Sequence, residues 1–459
     1  MAQSADPSVA DPVAIRPWQF PRGALLIIGF EFCERVGFYS MISLLALFLS
    51  APAAQGGFGW SVAASLIALG VFSGLMYGLP VIGGWVADRQ LGHRRAIVLG
   101  GALMLSGYTA LTVTAAAAKG QSSPVLTLLF WLSIGLLIVG NSLMKSTLVV
   151  ALGDTFSGQD ARREGAYAYY YAGINLGGLV AGFLAGSVAT IWGWAPAFGV
   201  SAVSLALALS AFLILGRALP LRVVPSSTLA PAQTSMLTFA QTRNRLGILA
   251  VFAALLLVYS TGSFQLYGTM SFFLERKVDR HLGSFDIPTQ WFTSVEAAAL
   301  IVAAPTLAAV WASLRRQARE PDIVIKYAVA LGLGAAGLLL FAVAAGRLGV
   351  GSHAAWPLPA AGIVIQAGGE VAAWTVSYGL VYRLAPPRIV AAVMGAFYAC
   401  TLGLGGYLAG WVGTLAQRWG DARFFLVLGG VTALTGLGAV ALRPLLRRAA
   451  VANDISLVS

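Results

Sequence analysis

The sequence predicts an all-α membrane protein in which twelve transmembrane helices form two six-helix halves, with both termini in the cytoplasm. Its 459 residues are 58% hydrophobic and only 10% charged, whereas soluble proteins carry about 25% charged residues. Apolar runs of about 20 residues, the length that spans a bilayer, recur along the chain. Most of the 29 lysines and arginines lie in alternate loops between these runs. This composition excludes a soluble enzyme and a nucleic-acid-binding protein.

The apolar runs define the elements in order. Residues 1–23 are polar and lack the basic, apolar and small-residue regions of a cleaved signal peptide, so we expect a cytoplasmic segment there. The predicted spans cover residues 24–50, 60–87, 96–118, 124–151, 166–190, 194–216, 246–272, 290–314, 325–346, 355–382, 388–415 and 422–443. These spans group into an N-terminal bundle (24–216) and a C-terminal bundle (246–443), joined by a cytoplasmic linker (217–245) and followed by a cytoplasmic tail (444–459).

Basic residues set the orientation of this bundle. They concentrate before the first span, in every second loop from the loop between spans 2 and 3 onward, and after the last span. Positively charged loops stay in the cytoplasm, so both termini are predicted to lie there. The net charge of +12 is then a topology signal, and no nucleic-acid partner is needed to explain it.

The loop between spans 2 and 3, GWVADRQLGHRR over residues 84–95, resembles the cytoplasmic signature of the major facilitator superfamily. In that signature a glycine allows close helix contact, and an Asp-Arg pair, here Asp88 and Arg89, acts in gating. The alternative is an ordinary positively charged loop, and His93 within it is not placed like a membrane proton relay. Because the chain has no Gly-x-x-x-x-Gly-Lys phosphate loop, uphill transport must use an ion gradient.

Ionisable residues inside the predicted spans mark the candidate site. Each costs about 2.5–3.5 kcal/mol at the centre of a membrane helix, so such residues usually face a substrate or proton path. They are Glu31, Glu34, Arg35, Lys145, Glu296 and Glu370. The first three share one helical face with Tyr39, and an acid beside a guanidinium forms a proton switch. The alternative for any one of these residues is a paired structural clamp between helices.

Several segments resemble the proton-dependent oligopeptide transporter family of the major facilitator superfamily. The segment EFCERVGFY, residues 31–39, is similar to the family's ExxER motif. Further similar segments follow at the expected spacing: YGLPVIGG at 77–84, GNSLMK at 140–145, YYAGINLG at 170–177, GE at 369–370 with LAP at 384–386, and MG at 394–395. The chain is identified as a divergent member that lacks the two extra helices which many bacterial members carry between the halves.

The resemblance implies a role for the matched residues. Glu31 and Glu34 take the coupling proton, and Arg35 belongs to the proton-coupling set as the arginine that this protonation frees. Arg35 and Lys145 meet the substrate carboxylate, while Glu370 meets an amino group or pairs with Lys145 in the empty site. The expected substrate-binding residues are Arg35, Tyr39, Tyr77, Lys145, Asn175, Gln265, Glu296, Glu370 and Phe397, and the expected gating residues are Asp88, Arg89, Lys145 and Glu370.

Several pocket positions depart from the family pattern. Ile42 stands where the family has a second basic residue, and Phe264 stands where it has that residue's acidic partner. Losing both avoids the cost of about 3–5 kcal/mol for stranding one buried charge, and it indicates an altered site or the loss of a dispensable gate lock. Ser260 and Phe397 replace tryptophans. Glu296 replaces an asparagine, and it either binds an extra cationic group, takes a proton or is a buried neutral carboxyl.

These patterns predict a proton-coupled symporter of a bacterial inner membrane that imports di- and tripeptides, or related peptide-like zwitterions, by alternating access. Its expected partners are the substrate, protons and the lipid bilayer, with no nucleic acid, cofactor or metal, and a monomer is the expected functional unit. Two alternatives remain open: a proton-coupled antiporter that exports cationic or amphipathic compounds, and a transport-dead receptor or scaffold. We do not expect an enzyme, because the spans contain no nucleophile–base pair or metal-ligand cluster.

Overall fold

The computed structural model describes residues 19–118, 123–157, 160, 162–219, 221, 238–349, 351–386 and 389–451. Long helices account for most of these residues. They are α1 (Arg22–Ser50), α2 (Val62–Leu91), α3 (His93–Ala117), α4 (Pro124–Asp154), α5 (Arg162–Trp192), α6 (Trp194–Leu215), α7 (Phe239–Lys277), α8 (Trp291–Arg316), α9 (Ile323–Gly346), α10 (Pro357–Leu384), α11 (Val390–Trp419) and α12 (Asp421–Val451).

Within the part of the chain that the structure describes, eleven of these helices are long and apolar enough to cross a membrane. The remaining helix, α10, is 28 residues long and less apolar, because Gln366 and Glu370 interrupt its hydrophobic stretch. Each predicted span coincides with one of the helices. The all-helical membrane fold is therefore confirmed, with eleven candidate spans among the described residues.

Two helix boundaries differ from the sequence prediction. α7 begins at Phe239, inside the predicted linker, because Thr238 and Gln241 form a capping box at its start. α12 continues to Val451, inside the predicted tail, with Pro444 accommodated in the helix. Residues 1–18, 222–237 and 452–459 lie outside the described residues. They hold most of the predicted N-terminal segment and linker and half of the predicted tail.

Three of the long helices contain turns that are not α-helical. α2 ends in a π-helical turn at Ala87–Leu91, α7 has a 3₁₀ turn at Phe264–Tyr267, and α11 has a π-helical turn at Ala399–Gly403. A π-helical turn inserts an extra residue, so side chains beyond it point in a new direction. The turns in α7 and α11 lie beside the cavity described below.

Short strands in the connections after α7 and α9 are a small departure from the all-α prediction. β1 (Val278–Asp279) pairs in parallel with β4 (Ala354–Ala355). β2 (His281–Leu282) pairs antiparallel with β3 (Phe285–Asp286). Backbone groups outside a helix need partners, and these pairings supply some of them at this end of the bundle, which we call the strand end.

The two halves pack around separate apolar cores and meet at the strand end. α2 crosses α11 there, and α5 crosses α8. Small residues allow the close approach: a Cβ atom on Gly70 of α2 would lie 2.8 Å from the carbonyl oxygen of Tyr407 in α11. Gly182 of α5 lies equally tightly against Gln290 and Ser294 at the start of α8. The cavity between the halves is therefore closed toward the strand end.

Candidate functional site

A cavity of about 220 Å³ lies between the two halves. Its walls come from α1, α2, α4 and α5 on one side and from α7, α8, α10 and α11 on the other. Among the described lining residues, the charged ones are Arg35 and Lys145 from the N-terminal half and Glu296 and Glu370 from the C-terminal half. A basic wall thus faces an acidic wall across the cavity.

Two buried acids lie behind the basic wall. Glu31 and Glu34 of α1 are 0% exposed. The Nζ atom of Lys145 donates a hydrogen bond to Oε1 of Glu31, and Nε of Arg35 donates to Oε2 of Glu34 at 2.5 Å. Nε of Arg35 also lies 3.4 Å from Oε1 of Glu31, and Nζ of Lys145 lies 4.0 Å from Oε2 of Glu34. These four residues form one network, which we call the charge cluster.

Aromatic side chains complete the charge cluster. The hydroxyl of Tyr170 in α5 donates to Oε2 of Glu31 at 2.7 Å. The Arg35 guanidinium lies over the rings of Phe38, at 4.7 Å, and Tyr39, at 5.8 Å, in positions that favour cation–π attraction. Oε1 of Glu34 is buried without a hydrogen-bond partner among the described residues. That oxygen is the one position in the cluster where a proton can be added without displacing an existing hydrogen bond.

The acidic wall is held by hydroxyl groups. The Tyr267 hydroxyl donates to Oε2 of Glu296 at 3.4 Å, and the Ser263 hydroxyl donates to Oε2 of Glu370 at 3.1 Å. Neither carboxylate forms an ion pair with a residue that the structure describes. Ser260, on the same side of the cavity, has a buried hydroxyl without a partner in the described chain. This wall can therefore accept a cationic group from outside the protein.

Three further residues predicted from the sequence line the cavity. Tyr39, Tyr77 and Asn175 all do so. The side-chain amide of Asn175 donates to the carbonyl oxygen of Tyr171, one turn earlier in α5, at 3.0 Å. These residues bring hydroxyl and amide groups close to the charged walls.

Gln265 and Phe397, also expected to bind substrate, do not line the cavity. Nε2 of Gln265 donates to the carbonyl oxygens of Thr261 and Ala409, so this buried side chain joins α7 to α11. Phe397 is 4% exposed and packs in the C-terminal core. Gln265 lies within the 3₁₀ turn of α7, and Phe397 lies two residues before the π-helical turn of α11.

The predicted pairing of Lys145 with Glu370 is absent from this arrangement. Lys145 bonds to Glu31 in the N-terminal half, whereas Glu370 accepts from Ser263 within the C-terminal half. The physical reason is that both acids of α1 lie no farther than 4.0 Å from Nζ of Lys145 and satisfy its charge within the N-terminal half.

The two predicted gating residues, Asp88 and Arg89, contact a histidine and a tryptophan side chain. Asp88 is 64% exposed on its side chain, and its Oδ1 lies 3.4 Å from Nε2 of His93. Nδ1 of the same histidine lies 2.8 Å from Oδ2 of Asp154. The Arg89 guanidinium lies 5.1 Å from the ring centroid of Trp85. His93, to which the sequence assigned no role, therefore joins the start of α3 to the end of α4.

The altered pair at Ile42 and Phe264 has apolar and aromatic surroundings. Ile42 is 0% exposed in the N-terminal core. The ring of Phe264 packs edge-on against that of Tyr77, with 5.6 Å between centroids. No buried charge is stranded at either position, as the paired loss predicted.

Sequence reasoning missed an aromatic group on the C-terminal side of the cavity. Trp374, Tyr378 and Tyr398 line the cavity, and the rings of Trp374 and Tyr398 stack with 5.5 Å between centroids. A usable signal was present: Glu370, Trp374 and Tyr378 are spaced four residues apart, which places them on one face of α10.

The chain is similar in sequence to known proteins along most of its length. A family model described as the POT family matches residues 94–240 and 221–422. The chain is 26% identical to the peptide transporter YePEPT of Yersinia enterocolitica, over 83% of this chain and 85% of that protein. It is 24% identical to the dipeptide and tripeptide permease A of Escherichia coli, over 97% of this chain and 96% of that protein.

A solved structure, that of a POT family transporter in complex with 5-aminolevulinic acid, has the same fold. It superposes with a TM-score of 0.84 at 19% sequence identity, covering 93% of this chain and 97% of that chain. At this level of identity the likeness establishes the fold alone. The match extends across both halves and the cavity between them.

Proposed function

We propose, from the premise that this chain belongs to the POT family of transporters, that it is a proton-coupled symporter importing di- and tripeptides or related peptide-like zwitterions. The curated relatives named above are bacterial peptide transporters, and proton coupling is the mechanism that the family implies. The observation that carries the proposal is the pair of oppositely charged walls. A zwitterionic peptide has its carboxylate and its amino group at opposite ends, as this cavity requires.

In the proposed binding mode, the substrate carboxylate meets the basic wall and the amino group meets the acidic wall. Arg35 and Lys145 receive the carboxylate, and Glu370 receives the amino group. Tyr39, Tyr77 and Asn175 contact the peptide between its ends. Gln265 and Phe397 support the wall from behind.

Coupling follows from the shared contacts of the charge cluster. While Glu31 and Glu34 are ionised, they hold Arg35 and Lys145 and compete with a substrate carboxylate. Removing one partner of a buried ion pair costs about 3–5 kcal/mol. Protonation of Glu31 or Glu34 is therefore favourable only when another anion replaces the negative charge that is lost. The substrate carboxylate is that anion. The proton and the peptide consequently bind together.

The proposed topology has twelve transmembrane spans in a bacterial inner membrane, with both termini in the cytoplasm. The strand end is then the outer end, and the arrangement described here is closed to the outside. Rocking of the 24–216 and 246–443 halves about the cavity exposes it to each side in turn. Asp88 and Arg89 act in this gating at the inner end, Lys145 and Glu370 act in it at the cavity, and the proposed unit is a monomer.

Proton flux in proteoliposomes tests the proposal directly. The purified protein is reconstituted with a pH-sensitive dye in the lumen, and Ala-Ala is added outside. The lumen is expected to acidify, and protein-free liposomes serve as the control. Peptide uptake without acidification would reject symport, and the absence of both would reject peptide import.

A second candidate is export of cationic compounds in exchange for protons. The acidic wall, whose two carboxylates form no ion pair among the described residues, favours it. An antiporter would move protons out of the lumen when a cationic compound is added outside and enters, so the direction of the pH change separates it from symport. A transport-dead receptor or scaffold would give no flux with either compound.

A further inference from the structure

Glu296 has an oxygen atom without a partner although the side chain is nearly buried. The residue is 9% exposed, and the Tyr267 hydroxyl donates to Oε2 at 3.4 Å. No described residue bonds to Oε1, and the residue lines the cavity. A carboxylate this buried is stable when a cation or a further donor satisfies it. Its free oxygen therefore points to a ligand with a cationic group.

Ser260 supplies a second and independent observation. Its hydroxyl is buried at 2% residue exposure and lacks a hydrogen-bond partner among the described residues. The residue lines the same cavity as Glu296. An unsatisfied buried hydroxyl costs free energy unless a bound molecule pairs with it, and its oxygen can accept from an ammonium group.

The charges of the two walls indicate what this cation is. On the basic wall, Arg35 and Lys145 are already matched by the two acids behind them. On the acidic wall, Glu296 and Glu370 both lack a basic partner in the described chain. The single amino group of an ordinary dipeptide neutralises one of these carboxylates, and the other remains uncompensated. A substrate with a second ammonium group neutralises both.

Aromatic surfaces beside the acids suit the stem of such a substrate. Trp374 and Tyr378 lie one and two turns beyond Glu370 on α10, and both line the cavity. Aromatic faces attract cations, and the methylene chain of a lysine side chain packs well on apolar surfaces while its ammonium reaches polar groups. The acidic wall thus has places for both the chain and the charge.

We propose that Glu296, with Ser260 and Glu370, forms a subsite for a second cationic group, so that the transporter selects peptides with a basic first residue, such as Lys-Ala. This assignment rests on the proposed function, because it assumes a peptide whose carboxylate lies at the basic wall. It places the α-amino group and the lysine side chain of the same residue at the two acids. Glu296 is then a specificity residue and not a proton carrier.

The experiment compares two peptides whose functional groups are the same except for a side-chain ammonium group, which only one of them has. Uptake of Lys-Ala and norleucyl-Ala into proteoliposomes is measured for the wild type and for Glu296→Gln, with Ala-Ala as the reference. The measured quantity is the Lys-Ala to norleucyl-Ala ratio of kcat/KM, in which any common loss of activity cancels. Asp286→Asn, an exposed carboxylate replaced by its amide, is the matched control.

The wild type is expected to favour Lys-Ala by at least about tenfold, and Glu296→Gln is expected to abolish most of this preference, because a charge-assisted contact is lost. Equal kcat/KM values of the wild type for Lys-Ala and norleucyl-Ala would overturn the subsite. This outcome does not depend on whether the variant folds. A preference that survives in folded Glu296→Gln would also overturn it. If neither peptide nor Ala-Ala is taken up, the proposed function itself fails, and that outcome is distinct from the other two.

Discussion

Lys145 lies where the charge cluster meets the cavity. Its side chain is 25% exposed, whereas those of Glu31 and Glu34 are 0% exposed. Its Nζ atom therefore has room for an anion from the cavity while it contacts the acids behind it. At the scale of single residues, we therefore propose Lys145 as the residue through which a substrate carboxylate senses the state of the two acids.

Replacement of Lys145 by glutamine tests this role. The wild type is expected to bind Ala-Ala at least about tenfold more tightly than its C-terminal amide, since only the free acid offers a charge-assisted contact. Lys145→Gln should bring the two affinities within about twofold of each other. Thermal-shift titration of the purified protein measures both affinities without requiring transport.

The matched control for this test is Lys277→Gln, an exposed lysine at the end of α7. It should retain the wild-type discrimination between the acid and the amide. Undiminished discrimination in folded Lys145→Gln would show that the carboxylate binds elsewhere.

The sequence predicted which charged residues lie at the cavity or directly behind it better than it predicted their partners. The i, i+3, i+4 spacing of Glu31, Glu34 and Arg35 fixes them on one face of α1, so their convergence could be foreseen. Their contact with Lys145 links two helices of the same half. The expected bond from Lys145 to Glu370 crosses between the halves, and spacing along the chain carries no information on how far apart the halves stand.

At the scale of elements, Asp322 connects two helices of the C-terminal half. It is the N-cap of α9, accepting from the backbone N–H of Ile325, and its Oδ2 accepts from Nε of Arg443 at 2.8 Å and of Arg447 at 2.7 Å. Burial opposes its ionisation, but these hydrogen bonds hold the pKa of Asp322 below its ordinary value. Ionised Asp322 therefore stabilises the packing of α9 against α12.

The lowered pKa of Asp322 makes the stability of the folded protein depend on pH. A carboxylate with a lowered folded-state pKa stabilises the protein above its ordinary pKa of about 3.9, and the contribution is lost as pH falls below it. Asp322→Asn keeps a good N-cap and removes the charge. Because both arginines are partly exposed, we expect it to lower the free energy of unfolding by about 1–2 kcal/mol at pH 7.

Thermal unfolding in detergent checks the prediction for Asp322. The gap in Tm between the wild type and Asp322→Asn should stay constant from pH 7 to about pH 5 and close below about pH 4. Asp286→Asn should show no gap across the same range. A gap that widens as the pH falls would contradict the account.

Element boundaries were predictable where composition changes abruptly, and side-chain directions were not predictable where a helix is irregular. Apolar runs located every span, and the Thr238 capping box explains why α7 begins before its apolar stretch. Gln265 and Phe397 were predicted to face the cavity, and neither of them lines it. The turns at Phe264–Tyr267 and Ala399–Gly403 depend on packing between the halves, which periodicity does not report.

At the scale of the whole molecule, contact between the halves is concentrated at the strand end. Gly70 and Gly182 allow helices of opposite halves to touch there, and the cavity with its two charged walls lies beyond that contact. A substrate that bridges both walls binds both halves at once. Its binding can therefore change the balance between arrangements of the halves, because it contacts them differently in each.

In the proposed mechanism, the charge cluster links proton binding to this movement of the halves. Glu34, with an unpartnered buried oxygen, is the acid at which the link should be severed with the least change in shape. Glu34→Gln keeps the size of the side chain and removes its titration. Exposed Glu164→Gln, at the start of α5, is the matched control.

The most direct test compares counterflow exchange with gradient-driven accumulation of Ala-Ala in proteoliposomes. Wild type and Glu164→Gln are expected to perform both. Glu34→Gln is expected to exchange peptide across the membrane but to lose accumulation against a gradient, because peptide movement no longer requires a proton. Accumulation at the wild-type level in Glu34→Gln would contradict the assignment of coupling to the charge cluster.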